Sequence, residues 1–284
     1  MIDFLISPFA NNEFMIKALL AGILVSIVCA VAGTFIVLRG LAFIGDALAH
    51  GVLPGIAASL LLGFPGIIGA SIGAAVMIGG VTLITQRSRL SSDTAIGLLF
   101  VSMLALGVAI VSRSGSFSGD LTRILFGELL GISWGNIALL IAATVIIGLV
   151  ALICARPFML LAFDPEQAEV AGFSAKKFHF LMLLMIAATI IVSFQTVGTL
   201  LVFGLLIAPA GAGALLASRI GMMMVWAAIF GAISMYAGLL VSYHLNIAAG
   251  ASVILVATLI FFIVFVVKNL TNRQTSQESE AAHG

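Results

Sequence analysis

The sequence predicts an all-α polytopic membrane protein with about eight or nine transmembrane helices. Three observations carry that prediction. Of 284 residues, 62% are apolar and only 8% are charged, against roughly 25% charged in ordinary soluble domains. Mean hydropathy is +1.30. The few charges are placed so that long stretches have none. A water-soluble globular fold is excluded. So is a nucleic-acid binder, because the net charge is +1 and no basic stripe exists.

The charge-free runs count the spans. Residues 18–38, 47–86, 94–112, 129–155, 178–218 and 221–267 contain no Asp, Glu, Lys or Arg. A helix crossing a bilayer needs about 20 apolar residues, so these runs hold one, two, one, one, two and two spans. In order, the segments are 16–38, 41–62, 65–85, 93–112, 133–154, 179–198, 199–217, 222–243 and 250–267. The count falls to eight if one segment is re-entrant or too broken to cross. The first run starts after Lys17 and ends at no small-residue cleavage site, so no removable leader is expected. Cys29 and Cys154 both sit in apolar runs and read as small core residues rather than as a disulfide or metal pair.

Orientation follows from the basic residues. With the N-terminus outside, the inner loops and tail hold Arg39, Arg87, Arg89, Arg156, Lys176, Lys177, Arg219, Lys268 and Arg273, leaving Lys17, Arg113 and Arg123 outside. That is a positive-inside distribution, and it puts the C-terminus in. The 30 glycines fit close packing between helices in lipid, where small residues let backbones approach. Gly69 and Gly73 form one such face, and Gly211 and Gly213 follow Pro209. Pro54, Pro65 and Pro209 each free a backbone carbonyl in or beside a span. Residues 269–284 are polar without apolar period and are expected to form a disordered cytoplasmic tail, with His283 alone in it.

Three groups of residues could carry chemistry. The first is Asp46 and His50, within Gly45-Asp46-Ala47-Leu48-Ala49-His50-Gly51-Val52-Leu53-Pro54-Gly55. An ionised aspartate in mid-helix costs about 2.5–3.5 kcal/mol to insert, so it demands a partner or a wet cavity. His50 is four residues on, hence on the same helix face. Carboxylate oxygen with imidazole nitrogen suits Mn²⁺, Fe²⁺ and Zn²⁺. An Asp–His hydrogen bond that merely pins two helices fits the same spacing, and spacing alone leaves both open.

The second group is the polar inner loop around Asp164-Pro165-Glu166-Gln167-Ala168-Glu169-Val170-Ala171-Gly172. Asp164 as cap, Pro165 at the first helical position, and Glu166 and Glu169 near the positive dipole end start a helix. Gly172 stops it. A short helix with so defined a start and stop suits a docking element better than a plain linker. The third is Gln195-Thr196-Val197-Gly198-Thr199, a polar break between two spans. It reads either as lining for a permeation path or as a tight turn. His179 reads as interfacial and His244 as a hydrated outer-boundary residue, with the passing of metal inward as its lesser alternative. Asp93 and Asn136 read as polar span ends.

Taken together these residues are recognisable. From about Asn12 to Val267 the chain resembles the membrane permease subunits of metal-importing ABC transporters, the Mn/Zn/Fe family of ABC-3 type. The resemblance rests on Leu38-Arg39-Gly40 leading into the 45–55 stretch, on Ser92-Asp93-Thr94-Ala95-Ile96-Gly97, and on Leu125-Phe126-Gly127. It continues in the Phe163–Gly172 loop, in Val197-Gly198-Thr199-Leu200-Leu201 and in Asn246-Ile247-Ala248-Ala249-Gly250-Ala251-Ser252. Glu128 departs from the neutral residue more common after Leu-Phe-Gly.

The resemblance implies a transmembrane permease domain over 1–268, with a cytoplasmic coupling loop at about 156–178, in the inner (plasma) membrane of a bacterium. It implies a homodimer driven by two cytoplasmic ATPase subunits and fed by an extracytoplasmic metal-binding protein. Asp46 and His50 map onto the family's intramembrane metal ligands. The Asp164–Gly172 helix, with Pro165, Glu166 and Ala168, maps onto its ATPase-coupling element. The ion is cargo, with no cofactor held permanently, and manganese is favoured over zinc or iron. The chain has no Gly-x-x-x-x-Gly-Lys-[Ser/Thr] loop and so is no ATPase itself. The alternatives are a siderophore- or cobalamin-type permease for metal chelates, an ion-coupled secondary transporter using Asp46–His50 as a proton relay, and a structural scaffold.

Overall fold

The computed structural model describes residues 2–112 and 131–281. The Leu125-Phe126-Gly127 motif, Arg113, Arg123, Glu128 and His283 lie outside the described residues, as do the side chains of Gln195 and Arg273. Every regular element among the described residues is an α-helix: α1 (Ile2–Asn11), α2 (Glu13–Leu38), α3 (Ala42–Gly51), α4 (Leu53–Leu62), α5 (Gly66–Arg87), α6 (Ser92–Val111), α7 (Trp134–Ile153), α8 (Ala155–Phe163), α9 (Pro165–Val170), α10 (Ala175–Val197), α11 (Thr199–Leu216), α12 (Ile220–Leu245) and α13 (Ala249–Ala281). With no water in a bilayer to satisfy open backbone groups, helices close their hydrogen bonds internally.

Among the described residues, nine stretches are long and apolar enough to cross a membrane: Glu13–Leu38, Ala42–Leu62, Gly66–Thr85, Asp93–Val111, Trp134–Ile153, Ala175–Phe194, Thr199–Leu216, Ile220–Leu245 and Ala249–Thr271. They match the expected segments within a few residues, giving nine candidate crossings among the described residues. Two groups of helices share the core. In one, α2, α11, α12 and α13 pack on each other; in the other, α3, α4, α5 and α6 do so, with α10 in contact with both groups. Cys29 is fully buried in α2, Cys154 is buried where α7 meets α8, and both are free thiols.

Pro54 explains a break in the second crossing. Lacking an N–H, it returns no hydrogen bond to the carbonyl of His50 four residues back. The crossing accordingly splits at Val52 into α3 and α4. Glycine sets the approach of α4 to α5. A Cβ on Gly69 would collide with the carbonyl of Gly55, and one on Gly55 with that of Gly69; Gly73 lies against Gly51 and Val52. Gly69→Ala should therefore force the two helices apart and cost about 1–3 kcal/mol. The thermal midpoint of the solubilised protein should fall by about 2–10 °C, whereas Gly79→Ala on the same helix, where a Cβ meets open space, should leave it unchanged.

The structure differs from the sequence reading in four places. An additional helix, α1, precedes the first crossing. The inner loop is shorter than 156–178, because residues 155–163 form α8, which buries Pro157, Phe158 and Leu161, and α10 begins already at Ala175. Phe158 is the anchor, set edge-on to Phe35 and Phe178. Third, a helix takes the place of the disordered tail as far as Ala281. Polar residues can propagate a helix that an apolar span has already nucleated. Fourth, His179 is more than interfacial. Its Nδ1 accepts a 2.7 Å hydrogen bond from Arg39 Nη1, tying the end of α2 to the start of α10.

Candidate functional site

Asp46 and His50 lie on one face of α3, as their spacing requires. His50 Nε2 is 3.4 Å from Asp46 Oδ1, with the two side chains 23% and 31% accessible, respectively. That separation is long for a hydrogen bond, which for N–H···O runs about 2.7–3.2 Å. It suits two donors on one ion. Ligands about 2.0–2.2 Å from a metal stand roughly 3.0–3.5 Å apart at octahedral to tetrahedral angles. The rest of the imidazole is enclosed. Phe100 of α6 meets the ring edge-on at 5.7 Å, and Nδ1 is buried with no hydrogen-bond partner among the described residues. A metal-bound histidine normally donates that second N–H to an acceptor that fixes its tautomer; the described residues of a single chain supply none here.

Asp46 has an opening, which His50 does not line. A cavity of about 370 Å³ is lined by Asp46 and Ala47 of α3, by Phe43 one turn earlier, and by Asp93, Ile96, Gly97, Phe100 and Val101 of α6. Its walls are apolar apart from two carboxylates. Asp93 is the residue sequence reasoning undervalued. Ser91 caps α6, its hydroxyl accepting from the Thr94 N–H at 3.2 Å, so Asp93 is not needed as the cap. Its place in the cavity comes from the packing of α3 on α6, which no spacing along the chain reveals. Among the described residues, no group of three or more His, Cys, Asp or Glu could hold a metal. The described residues of one chain therefore bring together two strong donors and part of a pocket.

The other singled-out residues sit apart from this cavity. The polar break is confined to Gly198, whose φ of +82° only glycine adopts freely. Thr196 and Thr199 beside it are buried, 3% and 1% exposed, as in a packed turn. His244 occupies the last turn of α12, its ring edge-on to Tyr243.

The second candidate element forms as read. Asp164 Oδ1 accepts from the N–H groups of Glu166 and Gln167 at 2.9 and 3.2 Å, and Pro165 opens α9. At the far end Gly172, with φ +84°, donates to Glu169 O, and the Phe173 N–H donates to Ala168 O. That double closure is a Schellman stop. Ala168 is 1% exposed, on a helix packed against α8 and α10, so it props α9 from beneath rather than offering a contact. Val170, 90% exposed, is the apolar side chain the helix holds out.

Residues 11–268 match the ABC 3 transport family. The chain belongs to this family. Among ABC 3 proteins it is 41% identical over 254 residues to the manganese transport system membrane protein MntC of Listeria monocytogenes, covering 89% of this chain and 90% of that one. It is 38% identical to a Haemophilus influenzae protein named as a probable iron transport system membrane protein, covering 93% and 96%. Its fold matches a chain of PsaBC from Streptococcus pneumoniae in complex with Fab with a TM-score of 0.84, at 34% identity and covering 93% and 95% of the two chains. An all-helical permease subunit, rather than an enzyme, is what this ABC 3 membership gives.

Proposed function

We propose that the chain is the permease subunit of an ATP-driven importer of divalent transition-metal ions, manganese foremost, with iron and zinc compatible with the same donors. One observation carries the reading: an aspartate and a histidine a turn apart in a crossing helix, at ligand spacing, the aspartate opening onto a cavity, with too few donors among the described residues to finish a site. A second copy of the chain facing the first would complete it, so that two aspartates and two histidines surround one ion. The manganese and iron transport named for its relatives supports the choice of cargo, since oxygen–nitrogen sites do not by themselves separate these metals. The cavity volume suits a cation with six waters, at about 30 Å³ each, better than a bulky chelate.

In this reading the N-terminus is outside and the C-terminus inside. An extracytoplasmic binding protein releases the ion, and Asp46 and His50 replace part of its water shell. Asp46 lies one turn nearer than His50 to the basic side of the membrane, and Asp93 follows at the start of α6, so the carboxylates mark the way out. ATP is hydrolysed by separate subunits, because this chain lacks a phosphate loop, and α9 with Val170 docks on them. The test is reconstitution with and without the ATPase. Radiolabelled Mn²⁺ should accumulate only when ATPase, binding protein and ATP are all present. Accumulation driven by a pH gradient with this chain alone would favour the proton-relay alternative and overturn the proposal.

A further inference from the structure

A second cavity, of about 770 Å³, lies on a different flank, bounded by α2, α7, α8 and the start of α12. Its walls are apolar, with Phe35, Leu152, Met159 and Met224 among them, and its polar rim holds Arg156 and Arg219. Neither guanidinium has a carboxylate partner among the described residues. Both sit at one membrane boundary. Arg156 comes three residues after the Trp134–Ile153 crossing, and Arg219 one residue before the Ile220–Leu245 crossing.

Two helices also begin there. Arg156 is the second residue of α8 and Arg219 is the N-cap of α12. Neither N-terminus receives a side-chain capping hydrogen bond, and neither has an acid in its first turn. The first N–H groups of a helix have no internal partner, and with the dipole they favour an anion. Two guanidiniums without a carboxylate partner among the described residues and the open start of α12 therefore meet at the mouth of an apolar groove at headgroup depth; the start of α8 adds less, because only Cys154 separates it from the end of α7 and Pro157 has no N–H. An apolar groove alone would name no occupant; this concentration of positive charge does. Basic pockets between crossing helices are where anionic lipid headgroups bind, and guanidinium grips phosphate in a two-pronged geometry that ammonium cannot reproduce.

We propose that this groove holds one anionic membrane phospholipid per chain. Its phosphate is bound by Arg156, Arg219 and the free N–H groups of α12, and an acyl chain lies along Phe35, Leu152, Met159 and Met224. The site is separate from the Asp46–His50 cavity and does not depend on what that cavity transports.

The test is native mass spectrometry of the whole transporter after exchange into mixed phosphatidylglycerol and phosphatidylcholine, followed by stepwise detergent washing. The wild type should keep one phosphatidylglycerol per chain and prefer it over phosphatidylcholine by at least about tenfold. Arg156→Gln with Arg219→Gln should abolish that preference, and Arg156→Lys with Arg219→Lys should keep part of it, which separates lost charge from misfolding. Inorganic phosphate alone should be held far more weakly than the lipid. Equal retention of the two lipids by the wild type would overturn the proposal. So would unchanged lipid retention in the glutamine pair accompanied by loss of the ATPase subunits, which would make this flank a protein contact.

Discussion

Asp46→Ala and His50→Ala should each abolish Mn²⁺ accumulation in whole cells, with initial rates down by at least about 100-fold, while the protein still reaches the membrane and still co-purifies with its ATPase. The size follows from the geometry. Loss of an outer-shell partner alone already costs 10–100-fold at a metal site, and here the substitution removes one of the two donors proposed among the described residues. In a symmetric pair of chains each substitution strikes twice. Both side chains are partly accessible, and alanine at either position adds to a run already rich in Ala and Gly; for His50 the loss of its contact with Phe100 is why membrane level and co-purification are measured alongside uptake. Asp46→Asn keeps the shape and removes the charge, so it should fall nearly as far as Asp46→Ala. Wild-type uptake in both alanine variants would remove the ligand assignment.

The second large effect concerns coupling. Val170→Asp should cut ATP-driven uptake by at least about tenfold, through loss of the ATPase from the purified complex, while metal binding at Asp46 and His50 persists. Val170 stands almost fully exposed on a helix of only six residues, whose start and stop are both locked by hydrogen bonds. Burying a carboxylate where an apolar side chain belongs costs several kcal/mol unless it is paired. Asp164→Ala should do less. It removes a cap worth about 0.5–2 kcal/mol and lets a helix too short to persist alone fray without altering the surface it presents. Co-purification and uptake measured together distinguish the two, and undiminished coupling in Val170→Asp would mean that docking lies elsewhere.

What could be read from the sequence follows the range of the interactions. The nine crossings were legible because bilayer thickness sets a length of apolar chain, and the gaps between charges record it. The Asp46–His50 pair was legible because four residues make one helical turn. The α9 cap and stop were legible because Asp164, Pro165 and Gly172 act on backbone within a few residues. Contacts across the bundle were not. Asp93 joins Asp46 only through the packing of α3 on α6, Arg39 meets His179 from 140 residues away, and Arg156 lines the same groove as Arg219 though 63 residues separate them. The sequence assigned no face to Ala168, which is buried while Val170 is exposed, since six residues carry too little periodicity to tell one face of α9 from the other.

The most direct test of the central idea, that one aspartate and one histidine on α3 grip the passing cation, is anomalous scattering at the manganese edge from the assembled transporter soaked in Mn²⁺. A peak within bonding distance of both side chains, shared by two chains and absent in Asp46→Ala, is the result expected. Strong manganese density elsewhere in the membrane region, with none between Asp46 and His50 at saturating ion, would contradict it.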